Sequence, residues 1–363
     1  MSELILKEEE RISLSLRSLY KKYGYQPYKM SKFEEYDLYV TNKEFLVGDG
    51  VITFNDTDGK LLALKPDVTL SIIRNSVNAA DKRKVYYDEN VYRISAKTKQ
   101  FKEIRQVGLE CIGDVGIYDE YETVTLAAAS LAEISEDFVL DVSHLGVLSA
   151  ILNSVSENRE FQSALMFCLA EKNVHEAESI CDSFGVSEED KKRLSILFTA
   201  YGAPQEVLEK LAPVCKGKAK AAFKKLQTLC KLLGNSKYAK KIRLDFSVVN
   251  DMNYYSDIVF KGFIDGVAEG VLSGGRYDKL MVRMGKNVGA VGFAVYLDLL
   301  EGFREEKSAT DVDVLILYNE KTSITVLVKM VEKLTKKGYS VSAQTCKTGL
   351  RYGECVDLRG GNV

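Results

Sequence analysis

Residues 244–260 read LDFSVVNDMNYYSDIVF, and the chain continues with VAEGVLSGGRYDKL at 267–280 and VGAVGFAVYLDLL at 288–300. Polar and apolar side chains alternate in 243–249 and in 254–264, and a third run spans 267–273. Alternation with a period of two is typical of β-strands, and the Asp265-Gly266 dipeptide between the last two runs is typical of a hairpin turn. This stretch therefore predicts successive antiparallel strands and a sheet, not a helix bundle.

A pocket wall is predicted directly after these strands. Gly274 and Gly275 lack a Cβ, so the backbone can turn sharply or approach a bound molecule there, and we expect them to end the third strand. From Gly289 to Leu300 apolar residues recur at helical spacing, which predicts a helix. Strand, glycine turn and helix would form one side of a pocket. A glycine pair that serves only as a turn fits the spacing equally well.

A second candidate surface lies on a pair of predicted strands at 85–93 and 104–112, joined by a lysine-rich loop. On the second strand, Gln106, Gly108 and Glu110 point to one face while the residues between them point to the other. An amide, a gap and a carboxylate at this spacing suit a small ligand that carries ammonium or imidazole groups. The alternative is that this face is only the hydrated side of an antiparallel sheet.

The N-terminal part predicts regular elements and one helix start. A helix is expected at 4–23, and short strands are expected at 36–40, 50–55 and 60–65. Pro66 ends the last strand, and Asp67 and Thr69 have the residue types that begin a helix. On this evidence alone, a helix-start role for the two residues is favoured over a role in a binding site.

Composition excludes several classes of protein. The 363 residues include 50 lysines and arginines against 52 acidic residues, so no overall positive field exists to hold nucleic acid. Seven cysteines without a C-x-x-C motif predict reduced thiols, and no apolar run is long enough for a membrane helix. A cytoplasmic protein is therefore expected. His144 and His175 have no metal-ligand spacing around them, so neither a metal nor another cofactor is predicted.

The predicted domain organisation is an interrupted α+β domain. Residues 1–156 and 241–305 form the core, and the helical run at 157–240 is inserted into it. Residues 306–363 predict a strand, a helix and a second strand, which is a short βαβ remnant too small for a full α/β domain.

Six segments carry a resemblance to a known family. They are KPDVTLSIIRN at 65–75, YYDENVYR at 86–93, IRQVGLECIG at 104–113, NDMNYYSDIVF at 250–260, LSGGRYDKL at 272–280 and AVGFAVYLDLL at 290–300. Their order resembles the catalytic core of the histidyl-tRNA synthetases over about residues 4–300. The resemblance implies a class II aminoacyl-tRNA synthetase-like antiparallel sheet flanked by helices, with a pocket for histidine and its adenylate.

The resemblance also implies ligand contacts. Asp67 and Thr69 would meet the amino-acid end of the ligand, and Arg93 would meet its carboxylate or a phosphate. Gln106 and Glu110 would contact its polar groups.

Tyr254 and Tyr255 would contact the ligand's side chain, by the same resemblance. The backbone of Gly108, Gly274 and Gly275 would line the pocket. No residue is assigned a catalytic role.

The departures from the synthetase pattern fall on groups that handle the nucleotide. Where the family has arginines, this chain has Asn250 and Leu299, and a further loop arginine is replaced by Gln100. The family glutamate two residues after Arg93 is Ser95. Adenylation depends on positive groups that stabilise developing charge, with about 3 kcal/mol or more lost per donor removed. Adenylation is therefore expected to be negligible.

A histidine pocket without these arginines resembles the regulatory subunit of ATP phosphoribosyltransferase, the first enzyme of histidine biosynthesis. The resemblance implies a hetero-oligomer in which a short catalytic subunit needs this chain for activity, with histidine as the feedback effector. The beginning of an anticodon-binding domain is all that is expected after the core, so nucleic-acid binding is not favoured. A homodimer is also implied, although Ser31 stands where the family's interface motif has proline.

Two alternatives remain open. The chain is an active histidyl-tRNA synthetase if it catalyses ATP–pyrophosphate exchange with histidine. It is a synthetase-like interaction module if it binds tRNA at physiological salt.

Overall fold

The structure is a computed structural model, and it describes residues 7–42, 50–76, 82–95, 98–249, 254–300, 303, 310–347 and 349–360. It divides into two units, Met1–Phe303 and Arg304–Val363. The strands of the first unit are β1 Gln26–Pro27, β2 Phe33–Glu35, β3 Thr53–Asn55, β4 Leu61–Leu64, β5 Arg83–Ile94, β6 Phe101–Gly113, β7 Phe138–His144, β8 Tyr201–Gly202, β9 Ile242–Asp245, β10 Ile258–Ile264, β11 Leu272–Arg276 and β12 Gly289–Tyr296.

The helices of the first unit are α1 Glu8–Lys22, α2 Asp37–Thr41, α3 Thr69–Arg74, α4 Ile117–Ile134, α5 Leu145–Val155, α6 Arg159–Ala170, α7 Val174–Ser183, α8 Glu188–Thr199, α9 Pro204–Leu211, α10 Ala219–Leu233 and α11 Asp278–Arg283. Short 3₁₀ helices span Ala239–Lys241 and Leu297–Leu300.

Nine strands form one large sheet in the order β1-β5-β6-β12-β11-β10-β7-β9-β8. All neighbours are antiparallel except β1 with β5 and β7 with β9, which are parallel. The predicted α+β class is confirmed, but the sheet is mixed, not purely antiparallel. The prediction that 243–249 pairs with the next run was wrong, since β9 pairs with β7 instead of β10.

The two faces of β6 explain which side of the sheet becomes the core. Val107, Leu109 and Cys111 are fully buried in an apolar cluster with residues of α1 and α4. The alternate residues Gln106, Gly108 and Glu110 point to the opposite face, as the alternation predicted. A functional site therefore has to be sought on that opposite face.

The segment at 289–296 is a strand, so the predicted helix from Gly289 was wrong. Val291, Phe293 and Val295 alternate into the apolar core, which is the period of a strand. Glycines weaken a helix, whereas β-branched and aromatic residues favour a central strand. Leu297–Leu300 form only a 3₁₀ turn, which accounts for the helical spacing seen in the sequence.

The glycine pair was also placed wrongly as a turn. Gly274 and Gly275 lie inside β11 and pair with both β10 and β12. A Cβ on Gly274 would lie 2.4 Å from Phe293 Cβ, which no real structure tolerates. The glycines are therefore required by close packing between strands and not by a change of chain direction.

A smaller sheet has the strand order β2-β4-β3, and its strands lie between β1 and β5 in the chain. The hairpin of β3 and β4 is confirmed, but the strand predicted at 36–40 was wrong because those residues begin α2. Only Tyr39 of this segment is fully buried, where its Oη donates a hydrogen bond of 2.8 Å to Glu34 Oε2.

Helices α6 to α10, together called the helical insert, lie between α5 and β9 in the chain. Side chains cap α6, α7 and α8; at the start of α8, for example, Ser187 Oγ accepts a hydrogen bond from Asp190 N. Helix α10 buries Phe223, Leu226 and Leu229 in the same apolar cluster as α4 and α5. The division into a core at 1–156 and 241–305 with an insertion at 157–240 stays a prediction.

The second unit contains β13 Val312–Leu317, α12 Ile324–Lys336, β14 Val341–Gln344 and β15 Tyr352–Asp357. Its three strands are parallel in the order β14-β13-β15. The predicted strand, helix and strand are present, and β15 is a third strand that the sequence did not reveal. Val314, Ile316 and Leu327 form its small core.

Candidate functional site

A cavity of about 650 Å³ lies over the face of the sheet that Gln106 and Glu110 share. On β12 the residues paired with them, Tyr296 and Gly292, line the same cavity. All seven side chains predicted to contact a ligand are brought together there: Asp67, Thr69, Arg93, Gln106, Glu110, Tyr254 and Tyr255. Residues from distant parts of the sequence thus converge on one concave surface.

Glu110 is the most buried carboxyl group of the cavity. Its Oε1 accepts a hydrogen bond from Thr69 Oγ1 at 2.8 Å, and its Oε2 accepts one from Tyr277 Oη at 2.5 Å. Burial opposes the charged form and raises the pKa of Glu110 to about 8, although the two hydrogen bonds act in the other direction. A ligand that shares a proton with this carboxyl would therefore be favoured.

Only glycine fits at position 292, directly opposite Glu110 on β12. A Cβ there would lie 1.7 Å from Glu110 Oε2 and 2.4 Å from the carbonyl oxygen of Leu109. The missing side chain is what lets the carboxylate lie flat against the neighbouring strand. Gly292 is a site residue that sequence reasoning missed, although the motif that contains it was quoted.

The loop before α3 brings Asp67 into the cavity. Asp67 Oδ1 accepts a hydrogen bond of 2.8 Å from Leu70 N, so the predicted helix-start role is confirmed. Burial also raises the pKa of Asp67. Arg93 Nε donates a hydrogen bond of 2.8 Å to the carbonyl of Pro66, which ties this loop to β5. Asp67 therefore has two roles: it accepts a hydrogen bond at the start of α3, and it lines the cavity.

Aromatic rings form a wall of the cavity. The ring centroids of Tyr254 and Tyr255 lie 4.7 Å apart, and those of Tyr254 and Tyr277 lie 5.7 Å apart. Tyr87 and Tyr296 also line the cavity. Sequence reasoning missed Tyr87, Tyr277 and Tyr296; the position of Tyr277 next to the glycine pair was the available signal for it.

The three glycines predicted to line the pocket lie behind its side chains and not among the lining residues. A Cβ on Gly108 would lie 2.4 Å from Tyr87 Oη, and one on Gly275 would lie 2.7 Å from the Tyr255 ring. Gly274 is packed against the next strand, as described above. These glycines make room for the tyrosines that reach the cavity.

Residues 5–300 match the family model described as histidyl-tRNA synthetase. The chain belongs to the histidyl-tRNA synthetase family. The match covers the whole sheet and the cavity, so the resemblance inferred from the six sequence segments is confirmed.

Similar proteins within the family indicate which of its members this chain resembles. The ATP phosphoribosyltransferase regulatory subunit of Moorella thermoacetica is 29% identical over 334 residues, covering 90% of this chain and 85% of that protein. The crystal structure of an ATP phosphoribosyltransferase regulatory subunit/histidyl-tRNA synthetase from Bacillus halodurans has a TM-score of 0.80 and 25% identity, and the alignment covers 97% of this chain and 94% of that one. The likeness confirms the predicted function, a regulatory subunit of ATP phosphoribosyltransferase in histidine biosynthesis.

The fold also occurs in the ATP phosphoribosyltransferase complex of Thermotoga maritima. One chain of that complex has a TM-score of 0.62 and 18% identity, with 79% of this chain and 96% of that one covered.

The end of the cavity away from Glu110 is where this family member departs from the synthetase pattern. Leu299, at a position where an arginine was expected, lines the cavity with an aliphatic side chain. Asn250, the other replaced arginine, lies outside the described residues. Lys102 and Lys261 line this end as well, which sequence reasoning missed. The cavity therefore lacks one expected arginine there but is not without cations.

The described residues give no support for a metal site or for a membrane-spanning helix. They contain no group of three His, Cys, Asp or Glu side chains arranged to hold a metal ion. His144 lies at the start of α5, where its Nδ1 accepts a hydrogen bond from Val147 N, and His175 is exposed. No helix in the described part of the chain is both long and apolar enough to span a membrane.

Proposed function

We propose that the chain binds L-histidine in this cavity and, as the regulatory subunit, reports its occupancy to a catalytic subunit of ATP phosphoribosyltransferase with which it assembles. The observation that carries the proposal is Glu110, a buried carboxyl already held by Thr69 and Tyr277 in a cavity walled by tyrosine rings. Phosphoribosyl transfer to ATP would occur on the partner.

The cavity offers a complementary group for each part of histidine. Asp67 and Gln106 are acceptors suited to the ammonium group, and the guanidinium of Arg93 suits the carboxylate. Glu110 suits the imidazole, which the rings of Tyr254 and Tyr255 would flank.

Proton sharing between Glu110 and imidazole explains why histidine is the favoured amino acid. An imidazole has an ordinary pKa near 6.5, and burial raises the pKa of Glu110 to about 8. At neutral pH the empty cavity therefore holds a protonated carboxyl, which can donate to, or transfer its proton to, a neutral imidazole. Neither path leaves an unpaired charge in the cavity, whereas an aliphatic side chain would leave Glu110 without this partner.

Regulation then follows from differential affinity. Histidine shifts the complex only if it binds one arrangement of the two subunits better than another, and such coupling is typically about 1–3 kcal/mol. A homodimer within the hetero-oligomer and a cytoplasmic location are parts of the same proposal.

Calorimetric titration of the full chain with L-histidine tests the proposal. We expect saturable binding that Glu110→Gln weakens roughly 10-fold or more, because an amide cannot transfer a proton to the imidazole and so cannot form the charged pair, whose hydrogen bond contributes about 1.5–3 kcal/mol. Glu103→Gln is the matched control, since Glu103 lies on the same strand but is exposed. No binding in the wild type, or equal binding in both variants, would refute the assignment of the cavity.

A second measurement separates regulation from aminoacylation. The chain should restore histidine-sensitive activity to a short catalytic subunit and should show no ATP–pyrophosphate exchange with histidine. Clear exchange would instead support an active synthetase.

A further inference from the structure

Two chain segments that supply tyrosines to the cavity are joined to each other behind it. Tyr254 and Tyr255 lead into β10, and Tyr277 follows β11 directly. Between these segments, Ser256 N donates a hydrogen bond of 2.8 Å to the carbonyl of Arg276, and Asp278 N donates one of 3.2 Å to Ser256 Oγ. The two segments are therefore joined directly by hydrogen bonds.

Each segment also carries a charged residue that contacts a neighbouring helix. Arg276 Nη1 lies 2.8 Å from Glu120 Oε1 of α4. Asp257 Oδ1 lies 2.8 Å from His144 Nε2, and the carbonyl of Asp257 accepts a hydrogen bond of 2.7 Å from Leu145 N. The aromatic wall of the cavity is thus held by a network of ion pairs and hydrogen bonds on α4 and at the start of α5.

Lys225 of α10 connects both branches of this network. Its Nζ lies 2.7 Å from Glu120 Oε1, and it also forms an ion pair with Asp257. Among the described residues of the helical insert, it is the one whose ion pairs reach this network. The insert is therefore linked by a single cation to both segments of the aromatic wall.

Burial makes this link energetically significant. Glu120 is 1% exposed, so its carboxylate needs the cations around it. Burial disfavours the charged form of Asp257, yet His144 and Lys225 hold its pKa well below the ordinary value. The charged groups facing Lys225 are Glu120 from α4 and Asp257 from the segment before β10, with Arg276 on the far side of Glu120.

We propose that Lys225 is a positioning residue through which the helical insert fixes the aromatic wall of the cavity. By reciprocity, an insert that tightens the wall and raises ligand affinity must itself be stabilised when ligand binds. The insert is then the element of this unit that registers histidine. This inference rests on the proposed function, because it takes histidine as the ligand.

The test compares Lys225→Met and Lys225→Arg with Lys224→Met in the full chain. Lys224 is the neighbouring exposed lysine of α10. We expect Lys225→Met to weaken histidine binding about 10-fold in calorimetry, Lys225→Arg to stay within about threefold of the wild type, and Lys224→Met to have no effect. The arginine variant shows whether a cation at this position, and not general folding, sets the affinity.

Hydrogen exchange gives a readout that a purely structural role would not produce. Histidine should slow amide exchange in α10 at least threefold in the wild type and in Lys224→Met, but not in Lys225→Met. If wild-type protein binds histidine and neither its affinity nor α10 exchange depends on Lys225, this inference alone is overturned. If wild-type protein does not bind histidine, the proposed function falls and the inference falls with it.

Discussion

The two ends of the cavity differ in how their polar groups are held. At the inner end, Thr69, Glu110 and Tyr277 are buried and joined by hydrogen bonds. At the outer end, Lys102 and Glu269 are exposed and Lys261 is half-buried. Neither lysine there forms an ion pair with a described carboxylate. One end is preorganised before a ligand arrives, and the other is not.

Under the proposed function, the difference indicates which part of an aminoacyl-adenylate site this chain would still use. Preorganised groups in a water-excluded site recognise a ligand without the cost of reorganisation, whereas charges that are screened by water interact weakly. Recognition of an amino acid needs only the inner end. By the resemblance to the synthetases, adenylation needs fixed positive groups at the outer end, and Leu299 lines the cavity at a position where an arginine was expected.

The largest expected effect is on the free energy of unfolding, and it comes from a buried ion pair beside the inner end of the cavity. Lys65 precedes the loop that carries Asp67, and its fully buried Nζ lies 2.5 Å from Glu89 Oε2. Lys65→Met should lower the free energy of unfolding by about 3–5 kcal/mol, because it leaves a largely buried carboxylate without its cation. Urea denaturation measures this.

Lys60→Met is the matched control for that experiment. Lys60 lies 3.6 Å from Glu35 Oε1, but both side chains are more than half exposed, at 68% and 53%. Lys60→Met should lower the free energy of unfolding by less than about 1 kcal/mol. Equal costs for the two variants would show that the buried pair does not hold the inner end.

A pH-dependent effect is expected from the titration of Glu110. Its pKa is raised from 4.5 to about 8, so the folded state holds a proton that the unfolded state releases in this pH range. Stability should therefore fall as the pH rises through this window, by at most about 1.4 kcal/mol per pH unit for one proton. Glu110→Gln should remove this slope.

The comparison is made by measuring denaturation of both proteins at several pH values. The difference in unfolding free energy between wild type and Glu110→Gln should change with pH between about 5 and 8, whereas Glu103→Gln should track the wild type. A pH-independent difference would mean that Glu110 is already ionised at neutral pH in the empty cavity.

Strand β6 shows how much of the site the sequence contained. Its alternation places Gln106 and Glu110 on one face and the apolar residues on the other, and a period of two is unambiguous over 13 residues. The convergence of Asp67 and Tyr254 on that face could not be derived from spacing, because it depends on which strands become neighbours. The family resemblance supplied that information.

Strand β12 shows why the rest was not predictable. In Gly-Ala-Val-Gly-Phe-Ala-Val-Tyr, small residues stand where polar residues would alternate with apolar ones in a strand with one polar face, so the strand pattern is weak. The 3₁₀ turn that follows adds a helical spacing. Gly292 is required by the carboxylate of Glu110 on the neighbouring strand. A constraint from a residue 182 positions away in sequence (292 minus 110) leaves no local trace.

The smallest effect is expected at the outer end. Lys261→Met should change histidine affinity by less than about threefold, because an exposed or half-buried charge outside the hydrogen-bonded group contributes little to binding. The same calorimetric titration measures it. A loss as large as that of Glu110→Gln would mean that histidine binds across both ends, and that the two ends form one recognition site.

Leu299→Arg tests the same end by adding a cation. While Asn250 remains in place, a single added arginine should leave histidine affinity unchanged and should not produce ATP–pyrophosphate exchange.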